Sequence, residues 1–159
     1  MSQMSRGERF RFLYRQDEGA IDRREWRLAS WPPVAIALAM TFVWLVIAPR
    51  QARDLSREGL VDLGVIATYA YLIVYAFALL LCAVAEYFVS AKRFADRGRP
   101  PALAGLAPFS LFLAAAANWY QPRSEGTMPP WLTLAFDAVA LAVLIWTVAE
   151  LGFAEGGRP

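Results

Sequence analysis

Asp137 is the position in this chain with the clearest capacity for chemistry. It lies six residues after Trp131 and is the only charge in the stretch 127–149. In a helix rising about 1.5 Å per residue it sits about 9 Å below an interfacial tryptophan, where a carboxylate costs roughly 3 kcal/mol. Groups able to offset that cost recur at similar depth on the other apolar stretches, namely Thr68, Tyr69, Tyr71 and Asn118. Either a neutral acid hydrogen-bonded to a tyrosine or an ionised one reached by water fits the pattern. Asp137 would serve a proton or ion pathway in one reading. In the other, which we prefer, it joins helices through a hydrogen bond worth about 1 kcal/mol.

The remaining acids of interest fall at the edges of apolar runs. Glu86, Asp96 and Glu150 stand near Arg93, Arg23 and Arg24, close enough in the expected topology to pair. Acid–base work on a lipid substrate would have to use one of these three carboxyls. No nucleophile accompanies a base, however, and the chain has no histidine and a single cysteine, Cys82. Zinc, haem and a histidine base therefore lack their residues, and no disulfide forms within the chain. The expectation is a non-enzymatic protein without a cofactor.

Helices in lipid must position these groups. Of the 159 residues 58% are hydrophobic and 19% charged, and the charge is gathered rather than interspersed. Residues 31–48, 63–85 and 100–122 carry no charge, and 127–149 carry only Asp137. About 20 apolar helical residues cross a bilayer, so four spans follow. A soluble bundle would show a polar stripe, and GVIATYAYLIVYAFALLLCAVA shows none. The fold class is all-α: an integral membrane four-helix bundle with a short N-terminal amphipathic interfacial helix. Residues 1–29 form a cytoplasmic, interfacial segment. Residues 30–153 hold spans at about 31–48, 63–89, 101–120 and 129–150, and 154–159 form a cytoplasmic tail.

Orientation follows from arginine. Twelve of the sixteen basic residues lie before the first span, between the second and third, or in the tail. Only Arg50, Arg53, Arg57 and Arg123 lie on the other side. Basic loops stay in the cytoplasm, which places both termini inside. Fifteen arginines against one lysine, with abundant alanine, suit a GC-rich bacterial genome. Asp17, Glu18, Asp22 and Glu25 interleave with the arginines, and no nucleic-acid motif accompanies them.

Two short stretches define local structure. In KRFADRGRPP, residues 92–101, Asp96 is spaced to pair with Lys92 or Arg93 on a helix surface, and Gly98 suits the left-handed position past its end. Pro100 stops the helix and Pro101 suits the first turn of the next. In IDRREW, residues 21–26, Asp22 and Glu25 form a capping box, with Ile21 and Trp26 as a hydrophobic staple. A short helix should start at Arg23 and lie along the interface until Pro32 and Pro33 turn the chain inward. Upstream, RFRFLY alternates charge and aromatic and suits the same surface.

On these residues the chain resembles domain-of-unknown-function family 805, small four-helix bacterial inner-membrane proteins. Gly19, Ile21, Arg23 and Trp26 fit that family's stretch before the first span, with Ala20 where arginine is usual. Arg93, Asp96 and Gly98 fit its stretch after the second, with Ala95 in place of histidine and Pro100, Pro101 and Ala102 in place of Ser-Gly-Trp. The family's Asn-x-Tyr-Gly-Pro tail is missing after Gly152. The resemblance extends from about Phe12 to Phe153 and implies a fold rather than an activity.

The function expected is that of an accessory or scaffold subunit contacting another membrane protein or itself. The alternative is a small transporter or channel using Asp137. Anionic lipid headgroups are expected at Arg93, Arg97 and Arg99, at about 1 kcal/mol per basic residue.

Overall fold

The computed structural model describes residues 5–16, 18–51 and 62–154. The loop carrying Arg53 and Arg57, Asp17, and the tail carrying Arg158 lie outside the described residues. Five α-helices follow one another: α1 (Arg6–Arg15), α2 (Arg23–Ile47), α3 (Leu63–Asp96), α4 (Leu106–Tyr120) and α5 (Pro130–Gly152). Short 3₁₀ turns extend α2 and α4 and precede α4. Four helical segments, 23–47, 63–96, 101–123 and 130–152, are long and apolar enough to cross a membrane. Within them Phe42, Phe77, Leu81, Phe112 and Leu134 turn outward, each 65–69% exposed. Such surfaces are stable against hydrocarbon, not water. The chain is a multi-pass membrane protein.

Side-chain caps start α1, α2 and α3, and a proline starts α5. Asp22 Oδ1 accepts from the Glu25 amide at 2.7 Å, and Asp62 Oδ1 from the Gly64 amide at 2.6 Å. Pro130 opens α5 at a position whose N–H would have no helical partner. The start of α1 is a full capping box absent from our reading of the sequence. Glu8 N donates to Ser5 Oγ at 3.3 Å and Ser5 N to Glu8 Oε2 at 2.8 Å. The S-x-x-E spacing of residues 5–8 carries that signal.

The first span departs from expectation. The helix that starts at Arg23 does not end at Pro32 and Pro33 but runs through both to Ile47. Pro33 has no N–H to give the carbonyl of Ala29, four residues back. Tyr14 of α1 replaces it, its hydroxyl donating to Ala29 O at 2.8 Å. The separate short helix is therefore α1, on the RFRFLY stretch, and not the segment after Arg23. The expected capping box at Asp22 is also half made, because the Glu25 carboxylate turns to Arg9 at 3.4 Å.

The helices pair as two hairpins. Between α2 and α3, Tyr71 donates to Met40 O at 2.7 Å, the Thr41 and Tyr75 hydroxyls lie 3.0 Å apart, and Trp44 stacks on Tyr75. Between α4 and α5 the buried residues are Ala107, Ser110, Ala114 and Ala117 on one side and Ala140, Thr147 and Leu151 on the other. Their spacing of 3, 4 and 7 is that of an intertwined helix pair, and small side chains let the backbones approach. Alanines 135, 138, 142 and 149 are exposed, so the face of α5 turned to lipid also carries small residues.

The two hairpins are joined at one end, where the chain's charge is concentrated. α3 has 34 residues, about 51 Å of helix, against a hydrocarbon layer of about 30 Å. Its last turns project into a small headpiece, where residues 89–94 are each 2% exposed or less. A helix buried on every face must be surrounded. The surrounding elements are α1, the start of α2, the 3₁₀ turn Pro101–Gly105 and the end of α5. Leu13, Ile21, Trp26, Ala29, Val89, Ala91, Phe94, Ala104 and Leu151 form its core.

Candidate functional site

The headpiece collects seven of the eight residues singled out in the sequence, all but Asp137, and orders them around the end of α3. That end is a Schellman motif. Gly98 has φ 67°, Arg99 N donates to Phe94 O at 2.9 Å and Gly98 N to Ala95 O at 3.0 Å. With the backbone closed in this way, the last turns hold their side chains at fixed angles.

Lys92 and Arg93 point from those turns in different directions, and both are almost wholly buried. Lys92 Nζ donates to Leu13 O at 3.4 Å, to Gln16 O and to Phe88 O at 3.2 Å. It lies 5.2 Å from the centre of the Phe12 ring, a cation–π contact. A single ammonium thus closes the carboxyl end of α1, where carbonyls have no helical donor.

Arg93 does the same for α5. Its Nε donates to Leu151 O at 3.2 Å and Nη2 to Ala154 O at 2.7 Å, while Nη1 pairs with Asp96. Arg97 donates to Glu150 O and pairs with its carboxylate at 3.2 Å, and Arg23 donates to Phe153 O at 3.3 Å. The last turn of α5 contains no basic residue of its own. Three arginines from other elements meet its unbonded carbonyls and the negative end of its dipole. The Arg93–Asp96 pair matches expectation. Glu150 pairs with Arg97 and, at 3.7 Å, with Arg99, not with Arg93, Arg23 or Arg24.

Glu86 forms no ion pair with those arginines either. One turn further along α3, Ser90 donates to Glu86 Oε1 at 3.3 Å, and Trp26 Nε1 donates to Ser90 Oγ at 3.2 Å. Ser30 faces the same carboxyl group. Among the described residues, Glu86 Oε2 and Ser30 Oγ are buried with no hydrogen-bond partner. Tyr14 lies near enough to feel the carboxylate. Burial pushes its hydroxyl pKa up, Glu86 adds to the rise, and Arg9 opposes it.

Two glycines are fixed by neighbouring rings. Gly152 admits the Trp26 indole, which a Cβ would meet at 3.3 Å. Gly19 has φ 107°, and a Cβ there would meet the Phe12 ring at 2.7 Å. Trp26 is therefore a packing residue whose indole N–H also belongs to the Ser90–Glu86 chain.

Asp137 lies at the other end of the molecule. Asn118 Nδ2 donates to Asp137 Oδ1 at 2.8 Å and to Ala114 O at 3.0 Å. Of the partners considered in the sequence, the structure selects Asn118, because α4 and α5 pack together while Thr68, Tyr69 and Tyr71 belong to the other hairpin. Sequence reasoning missed Lys92 as a cap, Tyr14 as the donor at Pro33, and Ser30 and Ser90 around Glu86. Pro33 alone carried a signal, since a proline within a helix demands a donor from elsewhere.

No group of three or more His, Cys, Asp or Glu side chains that could hold a metal occurs among the described residues. Compared with known proteins, the chain matches no family model, no curated protein and no solved structure.

Proposed function

We propose that this chain is a non-catalytic accessory or scaffold subunit of a bacterial cytoplasmic membrane, acting through helix contacts with another membrane protein. The observation that carries this reading is the use made of the headpiece charges. Lys92, Arg93, Arg97, Asp96 and Glu150 are bonded to helix ends and to one another, which makes the cluster a clamp between the two hairpins. The excess of basic residues on the headpiece side supports cytoplasmic termini. Membership of domain-of-unknown-function family 805 belongs to the same proposal. It is supported by the meeting of the two resembling stretches, Arg23 of the first and Arg93 of the second both bonding the end of α5.

Purification of the full chain from its native membrane in mild detergent, followed by mass spectrometry, tests the function. A membrane protein recovered in fixed stoichiometry supports it, and a chain recovered alone overturns it. The Asn118–Asp137 bond favours adhesion within one hairpin over a transport pathway. Asp137→Asn should leave any flux through reconstituted vesicles unchanged; loss of a proton- or ion-dependent flux would instead favour the transporter.

A further inference from the structure

The arginines of the headpiece differ in whether the chain itself holds them. Arg9, Arg23, Arg93, Arg97 and Arg99 bond carbonyls or carboxylates of the chain. Arg24 and Arg27 are exposed and form no ion pair among the described residues. The nearby acids are committed elsewhere, Asp22 to the Glu25 amide and Glu25 to Arg9. This shifts the expected headgroup contact. Arg93 is 1% exposed and holds α5, so it cannot meet a lipid.

Arg24 and Arg27 share one face of α2 with Leu28 and Trp31, the spacing being 3, 4 and 7 from Arg24. Leu28 is 62% and Trp31 67% exposed, whereas Trp26, Ala29, Ser30 and Pro33 on the opposite face are buried. The outward face therefore reads, along the helix toward the membrane, as two guanidinium groups, then a leucine and an indole. About 10 Å separates Arg24 from Trp31, at about 1.5 Å per residue. That is the order of a phospholipid: phosphate, glycerol and carbonyl layer, acyl chain. Tryptophan favours the carbonyl layer, and arginine presents a planar fork suited to phosphate oxygens.

We propose that this face of α2 binds the headgroup of an anionic phospholipid, with Arg24 and Arg27 on the phosphate and Leu28 and Trp31 along its glycerol and upper acyl chain. A free phosphate would use the two arginines alone. The exposed apolar pair, continuous with a membrane span, is what selects a lipid. The inference depends on the membrane-spanning helices and not on any accessory role.

Native mass spectrometry of the full chain in mild detergent, titrated with phosphatidylglycerol, tests it. Wild type should retain one lipid per chain, and Arg24→Gln with Arg27→Gln should weaken retention about thirtyfold, as expected for two interfacial cations. Arg11→Gln with Arg15→Gln, equally exposed on α1, should bind like wild type, and an excess of inorganic phosphate should not displace the lipid. Trp31→Ala keeps both charges and should still weaken binding. All variants lie on exposed faces, and an unchanged thermal midpoint confirms that they fold. Equal binding of phosphatidylcholine, equal loss in the α1 control, displacement by phosphate, or retention by the Arg24/Arg27 double variant would each overturn the proposal.

Discussion

Lys92 and Arg93 are neighbours in the chain, and each closes the carboxyl end of a different helix. Lys92 holds the end of α1 through Leu13 O and Gln16 O, and Arg93 holds the end of α5 through Leu151 O and Ala154 O. Successive residues on a helix point about 100° apart, so two adjacent cations on α3 reach different neighbours. The end of one helix thereby fixes the ends of two others.

Replacement of either cation should loosen one helix and spare the other. Lys92→Met should speed hydrogen exchange and proteolysis within α1, and Arg93→Met should do so at the end of α5. Each change removes charge-assisted hydrogen bonds worth about 1.5–3 kcal/mol apiece. Arg93→Lys should recover only part of the loss, since an ammonium lacks the planar fork that meets Leu151, Ala154 and Asp96 together. Identical exchange patterns in both methionine variants would contradict this division.

Tyr14→Phe should lower stability by about 1–3 kcal/mol, the cost of leaving a buried acceptor without its donor. The acceptor is Ala29 O, freed by Pro33, so the effect depends on the proline. In a Pro33→Ala background the amide of residue 33 can bond Ala29 O directly, and Tyr14→Phe should cost much less. Thermal midpoints of the four proteins complete the cycle.

Glu86→Gln should keep or raise the thermal midpoint. The amide can still accept from Ser90 and can donate toward Ser30, and a neutral group is less costly to bury than a carboxylate. Glu86→Ala should cost about 1–3 kcal/mol, since Ser90 then loses its acceptor. A marked loss of stability in Glu86→Gln would argue that charge at this position is required.

The start of α1 should respond to acid. The Ser5 hydroxyl and then the Ser5 amide hold the Glu8 carboxyl below its ordinary value of 4.5. A carboxyl lowered on folding adds stability above the unfolded value, and that stability is lost as pH falls through the folded one. Protection of the first α1 amides, measured relative to their intrinsic exchange rates, should therefore fall below about pH 4.5 and stay constant above it. Glu8→Gln should abolish the dependence.

How much of this was legible in advance depends on the kind of interaction. The four spans, the Schellman turn at Gly98, the cap at Asp22 and the Arg93–Asp96 pair are set by residues within a few positions of one another or by plain hydropathy, and a linear reading contains both. The path through Pro32 and Pro33 was not legible. It depends on Tyr14, fifteen residues before Ala29, being carried to that carbonyl by the docking of α1. Lys92 looked like a surface partner for Asp96 because its environment comes from α1, seventy-nine positions away at Leu13. Asp137 could be assigned a depth by the sequence but not a partner, which was decided by the pairing of α4 with α5. Periodicity and composition determine which segments enter lipid. Only packing decides which helix ends meet, and buried cations take their roles from the carbonyls that packing brings to them.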